Sequence, residues 1–185
     1  MKNILWQRVD WPGHEHLHVE QDADGGNRLT GVAVFLSEQG TCRMDYYVEC
    51  DQRWRTRRCQ VDGWLGERKI ETVVEATPDG GWLLNSVPLK DVRDCVDVDL
   101  NFSPCTNTLP IRRLQLKVGQ SAIVGAAWLR FPEFTLERLE QVYTRTGDLT
   151  YRYESRDGAF RRDLAVDAQG IVVDYPGIWR RAIRE

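Results

Sequence analysis

No apolar run in this chain approaches the roughly 20 residues that span a bilayer. Nor does its charge suit nucleic acid as the main partner: 25 basic and 28 acidic residues leave a formal charge of −3, where a strongly basic balance is expected. The opening MKNILWQRVDW reaches polar side chains after three apolar ones, too few for the apolar region of about 7–15 residues in a secretory signal. The five cysteines (Cys42, Cys50, Cys59, Cys95 and Cys105) form no C-x-x-C pair. Their odd number and scatter predict buried, reduced thiols and a cytoplasmic location. There is no G-x-S-x-G, no H-E-x-x-H and no glycine-rich phosphate loop, so no catalytic motif and no cofactor are predicted.

What is there is a period of two. Hydrophobic residues make up 42% of the 185 positions and charged residues 29%, an ordinary globular balance with enough chain for a sizeable core. Leu29 to Leu36 form a continuous run of apolar and small residues, which predicts a strand buried on both faces. In VDVDLNF, Val96, Val98, Leu100 and Phe102 alternate with Asp97, Asp99 and Asn101, predicting one buried and one solvated face. Tyr151 and Tyr153 share a face of LTYRYES. Turn signals separate these runs at DADGGN, Asp62-Gly63, PDGG, Thr146-Gly147-Asp148 and Asp157-Gly158, where residues tolerant of positive φ make tight hairpins. LERLEQVY fits a helix or a strand. It is read as a strand leading into the turn at Thr146 to Asp148. No low-complexity linker interrupts the chain, so residues 1–185 are expected to form one mostly β domain.

One segment departs from that period. In TNTLPIRRLQLKVG, Thr108 can cap a helix, Pro110 sits where a missing N–H costs little, and Ile111, Leu114 and Val118 follow at helical spacing. Gly119 supplies a left-handed stop. A single helix is expected over about 108–117, its apolar stripe covered by a curved sheet.

Several long stretches then carry a resemblance: YYVECDQRWRTR, VDVDLNFSPCTNTLPIRRL, AAWLRFPEFTLERLEQVYTR, YRYES and VDYPGIWRR, with WPG-x-E at Trp11 to Glu15. Together they resemble the bacterial family named for glycolipid binding, over a span from about residue 46 to the C-terminus. The resemblance implies a long antiparallel sheet wound as a spiral β-roll around a single α-helix, assembled as a homodimer. It also implies a likeness to half-open carriers of acyl chains. It transfers no catalytic or ligand residue.

Four residue groups are candidates for chemistry. His14, His16 and His18 lie at strand spacing on one face and could bind Zn²⁺ only if the strand bends; their alternation with Leu17 and Val19 reads as an ordinary solvated face. In RWRTRR, a strand would place Arg53, Arg55 and Arg57 on one face, a row suited to phosphate or carboxylate, or simply a solvated charge run. Arg112, Arg113, Arg180 and Arg181 join them only if the fold gathers them. Asp97 and Asp99 could hold a cation or work as acid and base, but solvation or pairing with an arginine is the simpler reading. Of the aromatics, Trp128 belongs to the core, while Trp54, Tyr151, Tyr153, Tyr175 and Trp179 are the candidates for a pocket or rim.

The expected function is non-enzymatic binding of a glycolipid or similar amphipathic small molecule, with arginines at the opening for an anionic head group. The alternative is a dimeric interaction module with a filled core. Below both stands a metal-dependent enzyme at His14/His16/His18.

Overall fold

The computed structural model of the chain describes residues 1–182. Its strands are β1 (Lys2–Arg8), β2 (Gly13–Gln21), β3 (Asn27–Ser37), β4 (Gly40–Cys50), β5 (Thr56–Leu65), β6 (Arg68–Ala76), β7 (Trp82–Leu84), β8 (Val87–Leu89), β9 (Asp97–Leu100), β10 (Ser121–Arg130), β11 (Thr135–Gly147), β12 (Thr150–Ser155), β13 (Phe160–Val166), β14 (Val172–Tyr175) and β15 (Trp179–Arg181). Between β9 and β10 lie a 3₁₀ turn, Cys105–Asn107, and the helix α1, Thr108–Leu114. The strands make one sheet in the order β8-β7-β6-β5-β4-β3-β2-β1-β15-β14-β13-β12-β11-β10-β9.

Two hairpin meanders, β1 to β8 and β10 to β15, meet where β15 pairs antiparallel with β1, setting Trp6 opposite Arg181 and Arg8 opposite Trp179. Among the described residues, only β9 breaks the antiparallel rule, lying parallel to β10. A parallel pair needs a crossover of a dozen or more residues, and the segment carrying α1 is that crossover. The helix thus follows from the topology. The sheet curls until its terminal strand reaches β5. Thr56 donates its backbone N–H to the Val96 carbonyl (3.2 Å) and accepts the Val98 N–H on its hydroxyl (3.0 Å). Nearby, the Trp82 indole donates to the Cys95 carbonyl (3.1 Å). These bonds close the curl into a β-roll around α1.

Most strands bury one face, as antiparallel sheets commonly do. On β4, Cys42, Met44, Tyr46, Val48 and Cys50 turn inward between outward polar residues. The apolar run on β3 behaves the same way. Leu29, Ala33 and Phe35 are buried, but Val34 is 52% and Leu36 47% exposed, so its expected burial on both faces is corrected. Burial on both faces occurs instead in β9, where Asp97 is only 1% exposed. The alternation that predicted a solvated aspartate face fails because β9 lies inside the roll, packed by the 3₁₀ turn and β5, with Arg113 of the helix reaching Asp97.

The helix ends earlier than 117. Gln115 takes the left-handed conformation (φ 47°) and stops it after Leu114, so Val118 lies outside it and is 54% exposed. Thr108 is no cap: the 3₁₀ turn runs into the helix through Asn107, and the Thr108 hydroxyl is buried without a partner. LERLEQVY lies within the strand β11, as expected.

Candidate ligand-binding site

At the Asn107 end of α1 is a cavity of about 220 Å³, lined in part by the loop after β9 and the ends of β12, β14 and β15. Its apolar wall grows from sheet register. Tyr153 on β12 lines the cavity, backed by Tyr143 opposite it on β11 at a centroid distance of 5.2 Å, and Phe160 and Tyr175 extend the lining at 5.9 and 6.3 Å from Tyr153. Trp128 and Trp179 add to the lining, and the guanidinium of Arg156 lies 5.2 Å over Trp128. The polar wall comes from Asp99 on β9 and from the loop after it, which brings Asn101 and Ser103 to the same lining as Asn107.

Hydrogen bonds aim these groups. Gln141 donates its amide to Asp99 (2.5 Å) and to the Tyr153 hydroxyl (3.1 Å), and Tyr143 donates to Asn107 Oδ1 (2.9 Å). Burial pushes the Asp99 carboxyl up to about 6; the Gln141 hydrogen bond opposes this shift and the Asp97 charge adds to it. Asp99 therefore changes charge near neutral pH, as groups in ligand sites often do. The tyrosine hydroxyls of Tyr143, Tyr153 and Tyr175 are raised by burial and stay protonated donors.

Behind this cavity sits Glu15, fully buried on β2. Its Oε1 accepts from the Tyr46 hydroxyl (2.5 Å) and from Ser103, which also lines the cavity. Tyr46 reaches Glu15 across β3 because position 31 is glycine: a Cβ there would lie 2.3 Å from the Tyr46 ring. Burial raises Glu15 to about 8, against the opposing bonds from Ser103 and Tyr46 and the charge of Arg8. Reading site residues from sequence missed Glu15, although a signal was present. It shares inward parity with Leu17, opposite to the histidines.

At the other end of α1, about 9 Å along the axis at 1.5 Å per residue, is an opening of about 490 Å³. The fold gathers Arg53, Trp54, Arg55, Arg112 and Arg113 around it, with Gln115. RWRTRR is not the expected strand. Asp51 Oδ1 accepts the backbone N–H groups of Arg53 (2.8 Å) and Arg55 (2.9 Å), an aspartate-made turn, and Trp54 takes φ 64°. Strand β5 begins only at Thr56, which leaves Arg57 exposed and outside this opening. Trp54 lies under the Arg112 guanidinium (5.2 Å), and Arg113 pairs with Asp97. Burial raises Asp97 despite the hydrogen bond and charge of Arg113.

The remaining candidates are dispersed. Tyr153, Tyr175 and Trp179 share the first cavity, while Tyr151 lines a separate opening of about 390 Å³ beside Arg112 and Arg145. Arg180 is exposed and pairs with Asp174. His14 and His16 face solvent and His18 is half-buried; His16 and His18 both approach Asn3 Oδ1, at 3.3 and 2.9 Å. Among the described residues, no three of His, Cys, Asp and Glu gather as a metal site, and no helix is long and apolar enough to cross a membrane.

The family model described as "Putative glycolipid-binding" matches residues 3–181. Among solved structures, the chain is similar to a DUF1089 family protein from Pseudomonas aeruginosa, whose crystal structure was determined at 1.80 Å resolution. The two share 30% identity over 91% of this chain and 92% of that one, with a TM-score of 0.80. No curated protein matches the chain.

Proposed function

We propose, because this chain belongs to the family named for glycolipid binding, that it is a non-enzymatic binder of glycolipid-like amphiphiles, holding their sugar in the Asp99 cavity. One observation carries this reading: aromatic planes and hydrogen-bonding groups face each other across a single cavity of about 220 Å³. A sugar ring presents apolar C–H faces and an equator of hydroxyls. The rings of Tyr153, Tyr175 and Trp179 suit the faces, and Asp99, Asn101 and Asn107 suit the hydroxyls. The volume falls below the roughly 300–1,000 Å³ of drug-sized sites, so a head group enters and the alkyl tail lies outside. The apolar interior supports that division, since its buried side chains pack against one another in one cluster.

Two further parts of the reading are the family-like homodimer and work in the cytoplasm. The second draws support from five cysteines that are all free and buried, the usage of a reducing compartment.

Octyl glucoside below its micellar concentration, with methyl glucoside and 1-octanol as separated halves, tests the proposal through tryptophan fluorescence, because Trp128 and Trp179 line the cavity. Both glucosides are expected to bind saturably. Affinity should rise between pH 5 and pH 7 as Asp99 ionises near 6 and becomes a charged acceptor, and Asp99→Asn should weaken binding about tenfold. Saturable binding of 1-octanol but not of methyl glucoside would overturn it.

A further inference from the structure

We infer that the arginine-lined opening at the C-terminal end of α1 is a binding site for a phosphate-bearing anion, separate from the sugar cavity. Its lining holds four arginines, Arg53, Arg55, Arg112 and Arg113, and no carboxylate. The one acid bound to them from below, Asp97, is committed to Arg113, and the acid of the turn, Asp51, spends one carboxylate oxygen on backbone N–H groups. The side chains of Arg53 and Arg55 carry no hydrogen bond and no ion pair among the described residues. Around one opening of about 490 Å³, three guanidiniums are thus left without an ion pair among the described residues, Asp97 acting on Arg55 only as a nearby charge. Like charges brought together repel, and such an arrangement is stabilised by an anion seated between them.

The opening is also built, not merely charged. Trp54 occupies the left-handed region (φ 64°), where a bulky residue is uncommon and costs roughly 1–3 kcal/mol. Held there by the Asp51 turn, it puts an aromatic face under the Arg112 guanidinium and sets Arg53 and Arg55 on either side of it in the chain. Asp97 fixes Arg113 in the same way from within β9. The planar fork of each arginine matches two oxygens of an oxyanion. One guanidinium satisfies a carboxylate, whereas several converging on one opening suit the larger charge and third oxygen of a phosphate. Free phosphate, a phosphorylated sugar and the phosphate of a lipid head group all present this chemistry.

The site stands whether or not the other cavity takes a sugar. Calorimetric titration with inorganic phosphate, and flotation with vesicles of phosphatidylglycerol in phosphatidylcholine, separate the sources. Arg53 and Arg55 are exposed, so Arg53→Gln/Arg55→Gln should fold, and Arg180→Gln/Arg181→Gln makes the same change of charge on exposed residues of β15. Saturable phosphate binding, weakened at least about tenfold in the first variant and unaltered in the second, identifies a soluble ligand. Vesicle binding alone, with the same dependence, identifies a lipid head group. Binding of neither, or an equal loss in both variants, overturns the inference. Asp99→Asn should leave phosphate binding unchanged, so the two sites fail or hold independently.

Discussion

The two ends of α1 differ through a single strand. Asp97 and Asp99 stand two residues apart on one face of β9, both enclosed, and burial raises both carboxyls. Asp97 meets the guanidinium of Arg113, whereas Asp99 meets the neutral amide of Gln141. The first is a counter-ion that holds a cation in place at the arginine opening. The second lacks a bound cation and stays protonatable in a cavity of rings and amides. One residue type on one face thus anchors an arginine at one end of the helix and stays protonatable at the other, according to the charge of its neighbour.

The same amide substitution should therefore act in opposite directions. Asp97→Asn strands Arg113, whose side chain is only 16% exposed, and should cost about 3 kcal/mol, the low end for breaking a buried pair. Asp99→Asn removes an acid whose ionisation is costly where it lies. A carboxyl raised from 3.8 to about 6 binds its proton more tightly folded than unfolded. Its cost is therefore absent below pH 3.8, grows as pH rises and is complete above about 6. At about 1.4 kcal/mol per pH unit, that is up to about 3 kcal/mol gained by the variant at pH 8. Urea melts at pH 4 and pH 8 measure both. Equal destabilisation of the two variants at pH 8 would break the comparison.

Glu15 extends the contrast to a deeper acid with no ion pair among the described residues, on which Arg8 acts only through its charge. Its carboxyl rises from 4.5 to about 8, so the wild type should lose stability as pH rises from about 4.5 to 8, by up to about 5 kcal/mol in all on the same arithmetic, and level off above that. Glu15→Gln keeps the acceptor for Tyr46 and Ser103 and cannot ionise. The variant should match the wild type at pH 4.5 and exceed its melting temperature at pH 9. A wild-type curve flat across that range would show Glu15 ionised in the fold with its charge balanced.

The alternation of β2 and β4, the strand choice for β11 and the presence of one helix are all legible in the sequence, because each rests on spacing along a few residues. The inward parity of Glu15 is legible on the same terms, beside Leu17. What spacing cannot convey is the second layer. Period two assumes that the outer face of a strand meets water, and β9 violates this by lying inside the roll, so Asp97 and Asp99 read as solvated. The arginines of RWRTRR failed as a strand for a local reason: the carboxylate of Asp51 captures two backbone N–H groups and makes a turn of residues that alternate well enough for a strand. Their meeting with Arg112 and Arg113 depends on where the crossover helix ends, a matter of tertiary structure.

Thr56, next in the chain to Arg55, bonds β5 to β9 and supplies the smallest and most specific test. Thr56→Val preserves shape and strand propensity but removes the hydroxyl that accepts the Val98 N–H, leaving a buried donor without a partner at about 1–3 kcal/mol. Because the backbone bond from Thr56 to Val96 remains, the variant should fold, with amide exchange of Val98 accelerated ahead of the strands β2 to β4. Thr56→Ser restores the acceptor and should restore protection. If Val98 stays as protected in the valine variant as in the wild type, packing of Val98 and Leu100 holds β9 against β5 without this bond. The roll would then be closed by apolar burial, and the arginine opening would keep its shape independently of Thr56.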